Sequence, residues 1–202
     1  MSRLEKLLIL LIIIVMVSLG AGLLGQSSSG PIYIDTPVQV GLEETREIIH
    51  EGKNGTVNMV LLAEYSITAV VKSRRNYSTD TASAVSPMDL VLAWGNLNAK
   101  NIDDAVTYTQ RNRWYFYRLK STENVTLYDI QTQSANTHVI PADEVILKEL
   151  NKIRRNDLVE LQGYLVRVIF NPQAPPWTSS MTRIDTGDGS CEIMYVTAVT
   201  RK

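Results

Sequence analysis

Residues Leu7 to Gly25 read LLILLIIIVMVSLGAGLLG, nineteen positions without a charged side chain. A helix of that length rises roughly 28 Å, close to the ~30 Å hydrocarbon core of a bilayer. The run has no polar face with which to lie on a soluble core. Arg3 and Lys6 precede it, and no Lys or Arg follows until Arg46, so the positive-inside rule keeps the N-terminus cytoplasmic and sends the rest of the chain across. The expected plan is a cytoplasmic start at 1–6, a transmembrane anchor helix at 7–25 embedded in the lipid bilayer, a linker at 26–31 and one extracytoplasmic domain at 32–202. That is a single-pass protein of the cell membrane. Ser18, Gly20, Ala21 and Gly22 are small enough for a signal-peptidase site, and on that alternative the domain is secreted.

The exported part has the size of one ordinary domain. The whole chain is 45% hydrophobic and 20% charged, a composition that can fill a core and fold. Lys plus Arg number 20 against 21 Asp plus Glu, a net charge of -1, which gives a nucleic acid nothing to be attracted to. Cys191 is the single cysteine, so an internal disulfide and a multi-cysteine zinc site are both excluded.

Strands dominate the local signals. Tyr65, Ile67, Ala69 and Val71 alternate with Ser66, Thr68, Val70 and Lys72, the period of a half-buried strand. Leu158 to Phe170 is a longer strand, interrupted at Gly163 where a bend is expected, and Cys191 to Val199 is the last. Trp114 to Tyr117 is aromatic on both faces, so as a strand it is expected to be buried between layers or beneath a partner. Asp143 to Arg155 carries a helical stripe of Ile146, Leu147, Leu150 and Ile153, with acids in its first turn and bases in its last. Leu42 to Glu51 has a weaker helical pattern. Ser86-Pro87-Met88-Asp89 reads as a helix start, with Leu90 to Trp94 as a short helix stopped by Gly95. The expected fold class is α+β: one β-rich domain with a small barrel-like sheet of OB or SH3-like type and a few helices.

Leu62-Ala63-Glu64-Tyr65-Ser66, Ser86-Pro87-Met88-Asp89-Leu90 with Trp94-Gly95, Arg113-Trp114-Tyr115-Phe116, Ser134-Ala135-Asn136-Thr137-His138-Val139-Ile140-Pro141 and Thr182-Arg183 with Asp185-Thr186-Gly187 resemble a family of uncharacterised exported or membrane-anchored prokaryotic proteins. The resemblance spans roughly residues 60 to 199. It implies one domain and, since that family has no assigned activity, no catalytic residues.

Asp185-Thr186-Gly187 has the core of an aspartic protease half-site, but that mechanism needs two such carboxylates and only one copy is present. With Asp188 and Gly189 it reads as a tight turn. His138 and Cys191 have the residue types of a base and a nucleophile, yet no spacing in the sequence brings them together. Arg111, Arg113 and Arg118 around Trp114 have the composition of a single-strand stacking surface, which export and neutral charge oppose. Asn54-Gly55-Thr56, Asn76-Tyr77-Ser78 and Asn124-Val125-Thr126 are glycosylation sequons on the exported side. No catalytic, cofactor-binding or metal residue is therefore assigned from sequence, and no cofactor or nucleic-acid partner is expected. The expectation is a non-catalytic module that binds a partner or ligand in the cell envelope. One alternative is a cell-envelope hydrolase using His138 with Asp185, Asp188 or Cys191, recognisable by a pocket where these groups converge with perturbed protonation. A further alternative is an accessory subunit of a membrane complex, marked by an exposed apolar patch near Trp114 or Trp177.

Overall fold

Among the described residues nine strands carry the fold: β1 (Val38–Gly52), β2 (Gly55–Asn76), β3 (Met88–Ala93), β4 (Val106–Arg111), β5 (Trp114–Leu119), β6 (Ser134–Pro141), β7 (Leu158–Ile169), β8 (Trp177–Thr178) and β9 (Glu192–Arg201). Three α-helices join them within the same residues: the single-turn α1 (Lys100–Asp103), α2 (Leu127–Gln133) and α3 (Glu144–Lys152). The computed structural model describes residues 33–202. The expected cytoplasmic start, anchor helix and linker lie outside the described residues. Among the described residues no helix is long and apolar enough to cross a membrane.

The main sheet is mixed, with few helices around it, an α+β arrangement. Five of its strands each pair with two others in the circuit, so the hydrogen bonding returns to its start: β2 to β3, β3 to β6, β6 to β9, β9 to β7, and β7 back to β2. All these pairings are antiparallel except β6 with β9. The length of β2 makes the circuit possible. Asn58 to Val70 pair with β7, while on the opposite edge Gly55 to Ser66 pair with β1 and Val70 to Asn76 with β3.

The alternation at Tyr65, Ile67, Ala69 and Val71 is realised as expected. All four enter the main core with Leu90, Leu92, Val139, Leu161 and Met194. The helix expected at Asp143 is α3, with Asp143 Oδ1 accepting from Val145 N and Ile146 N at 2.8 Å each. Leu150 and Ile153 are fully buried against the same core, each burial contributing about 1.5–3 kcal/mol. Gly163 is placed for close approach: a Cβ there would lie 1.9 Å from Tyr195 O. Gly163→Ala must displace backbone, so a loss of about 1–3 kcal/mol is expected in urea unfolding.

Three sequence expectations are corrected. Leu42 to Glu51 is strand, part of β1. It forms the outer edge of the sheet and is mostly solvent-facing, so no buried face imposed a period of two. Leu90 to Trp94 is not a helix. Leu90 to Ala93 belong to β3, whose six residues are all buried, so both faces are covered and alternation disappears. The Trp114 strand exists as β5 but is half-exposed, paired with β4 in a two-stranded hairpin of its own.

Candidate functional site

β3 divides its side chains between two environments. Met88, Leu90 and Leu92 enter the main core, whereas Val91 and Ala93 join a second cluster with Tyr108, Ile130, Tyr115 and Tyr117. Asp89 shares the second face and is fully buried. Directly opposite on β6 stands His138. β6 pairs in parallel with β9, matching Thr137 to Glu192 and His138 to Ile193. That pairing delivers Cys191, the residue before β9, to the same face.

The β4–β5 hairpin covers this face. Its turn residues Asn112 and Arg113 have φ of 53° and 68°, the left-handed values that a two-residue hairpin turn requires. For a residue with a long side chain this costs on the order of 1 kcal/mol or more. Arg113 is compensated by its contacts. Its Nη1 donates to Asp89 Oδ1 at 2.7 Å, its Nη2 and Nε donate to the two oxygens of Asp80 at 2.8 and 3.0 Å, and Nη2 also reaches Ser86 O at 2.9 Å. The guanidinium carbon lies 3.9 Å from the centre of the Tyr77 ring. Hydrogen bonding to Arg113 is the main reason that Asp80 is held below the usual carboxylate range.

His138 Nδ1 lies 2.9 Å from the same Asp89 Oδ1, with its N–H turned off the direct line. Asp89 Oδ2 accepts from no donor, so the carboxylate has capacity left for an imidazolium. Burial by itself pulls His138 down. The neighbouring Asp89 and Cys191 side chains outweigh it and lift the imidazole to about 9. An unfolded histidine titrates near ~6.5. The stabilisation from the charged form is thus complete below about pH 6.5 and disappears as pH rises through about 9. His138→Gln is expected to destabilise the chain more at about pH 6 than at about pH 9.5 in urea unfolding.

Asn136, on the His138 face, is fixed in orientation. Its Oδ1 accepts from Gln110 Nε2 at 2.8 Å, and its Nδ2 donates to Arg113 O at 2.9 Å while lying 3.7 Å from Cys191 Sγ. The loop before β9 is tied at its base by Ser180 N donating to Cys191 O at 2.9 Å. Two cavities meet at Cys191. One, about 390 Å³, includes His138, Arg113, Trp177 and Asp188 in its walls. The other, about 250 Å³, has walls of Trp94, Trp114, Tyr115, Phe116 and Tyr117. Cys191, Trp114 and Gly187 border both.

The sequence candidates therefore separate. His138 and Cys191 come together. Asp188 is an exposed carboxylate on the His138 cavity, and Asp185 is held by Ser180 Oγ at 2.7 Å beside the other cavity. Arg113 belongs to a buried ion network rather than a stacking surface. Asp89 and Asn136 were missed, Asp89 because it sat in an apparent helix cap. The sequon residues Asn54, Asn76 and Asn124 are all exposed. Among the described residues, no three of His, Cys, Asp and Glu converge as metal ligands. In comparisons with known proteins the chain matches no family model, no curated protein and no solved structure.

Proposed function

We propose that this chain is a membrane-anchored, extracytoplasmic thiol hydrolase or acyl transferase, with residues 7–25 as the anchor and the closed circuit of strands as a small OB-like barrel that carries the site. Cys191 is the nucleophile, His138 the acid and base, and Asp89 the group that orients His138. The observation that supports this best is that His138 lies beside a fully buried carboxylate clamped by Arg113 and lines, together with the one thiol of the chain, the wall of one cavity. Within the hydrolase reading, Cys191 is favoured over Asp185 and Asp188, which are tied to Ser180 and exposed respectively.

The chemistry follows from the roles. An imidazolium beside the sulfur is the partner that a thiolate nucleophile needs. The thiolate attacks an acyl carbon, and the carbonyl electron pair moves to oxygen. The Asn136 Nδ2–H is the nearby donor for that oxygen. Collapse expels the leaving group with the His138 proton, giving a thioester. Water, deprotonated by His138, then releases the acid and restores the thiolate. The test is hydrolysis of 4-nitrophenyl acetate by the full chain. Cys191→Ala should fold normally and lose the activity, whereas equal rates in the two proteins would refute the role of Cys191.

A further inference from the structure

We infer that the 250 Å³ cavity walled by Trp94, Trp114, Tyr115, Phe116 and Tyr117 is the acyl subsite, and that the substrate is an ester, thioester or amide with a compact, uncharged, apolar acyl group. The inference rests on the thiol reading above. In acyl transfer the leaving group must stand where the acid can protonate it, which here is the cavity containing His138. The acyl substituent points away from the leaving group across the attacked carbon. From Cys191 that direction opens into the other cavity, which shares Cys191 and Trp114 but not His138.

The walls define the chemistry of the group that fits. Five aromatic side chains line the cavity, and rings of this kind stack on flat or branched apolar groups. Arg183 is taken up by the buried Glu192 and by Gln39 Oε1, so it is not free to hold an anionic acyl group. The Asp185 carboxylate, which accepts from Ser180, would repel one. The volume lies below the ~300–1,000 Å³ of sites for larger ligands, so the group is about the size of a phenylacetyl.

The full chain in detergent micelles is given 4-nitrophenyl acetate, phenylacetate and hemisuccinate in parallel. Nitrophenolate release and the intact mass are both followed, with peptide mapping of any adduct. The expected order of kcat/KM is phenylacetate, then acetate, then hemisuccinate. About tenfold or more should separate the first two, the scale of differential apolar contact in a pocket. The acyl adduct should map to Cys191, and Phe116→Ala, on the half-exposed hairpin, should reduce the phenylacetate-to-acetate ratio severalfold. Equal rates with the adduct on Cys191, or a ratio indifferent to Phe116→Ala, would overturn the acyl subsite and leave the thiol reading standing. Absence of any Cys191 adduct, with rates matched by Cys191→Ala, would overturn the thiol reading and the subsite with it.

Discussion

Arg113→Ala is expected to lower the unfolding free energy by about 3–5 kcal/mol, the usual cost of removing one partner from a buried ion pair. The expectation rests on what would be left behind. Asp89 is fully buried, its Oδ1 is held by Arg113 at 2.7 Å, and its Oδ2 accepts no hydrogen bond. Without the guanidinium, that carboxylate retains only His138 as a counter-charge, and Asp80 loses its two-point partner. The Ser86 carbonyl and the Tyr77 ring lose their contacts as well. Arg113→Lys keeps a charge but not the fork that reaches both carboxylates, so an intermediate loss is expected. Urea unfolding of the three proteins at neutral pH measures this. A change below about 1 kcal/mol for Arg113→Ala would mean that the network is solvated and carries little of the hairpin's attachment.

The second large effect is kinetic. With Cys191 intact, His138→Gln should slow acylation by 4-nitrophenyl acetate about 10²- to 10⁴-fold, the contribution typical of a positioned acid and base. Glutamine still packs beside Trp177, whose ring centre lies 4.8 Å from that of His138, so the fold should survive at neutral pH. Asp89→Asn should also slow the reaction. It weakens the orientation of the imidazole, and its cost in stability resembles that of Arg113→Ala because it leaves Arg113 short of a carboxylate. An acylation rate in His138→Gln within a factor of two of the native chain would leave His138 a structural residue.

How much of this was legible differs from element to element. The inward stripe of β2 and the stripe of α3 could be read because each has one buried and one wetter face, which is what periodicity reports. β3 could not, since the main core covers one side of it and the β4–β5 hairpin's cluster the other. The apparent cap at Ser86-Pro87-Met88-Asp89 then drew Asp89 into a helix that does not form. β1 failed for the opposite reason, because an edge strand facing solvent keeps no apolar alternation. At the site, the residue types of His138 and Cys191 were visible. Their proximity was not, because the parallel β6–β9 pairing joins segments separated by a helix and the whole of β7. The role of Arg113 depends on a left-handed turn without glycine, for which no sequence signal stands out. The half-exposed Trp114 and Phe116 show that an aromatic run can serve a cavity wall rather than a core.

The most direct measurement is an NMR pH titration of the two histidine rings in the native chain and in Cys191→Ala, because it needs no substrate. Burial pulls His50 below the ordinary value, while coupling to Asp89 and Cys191 raises His138 to about 9, so the two signals should separate clearly. The expected result is a His138 ring carrying both protons at neutral pH and titrating near 9, with its midpoint falling when the thiol is removed. A His138 that titrates at or below the ordinary ~6.5 and is indifferent to Cys191→Ala would contradict a working thiol and imidazole pair.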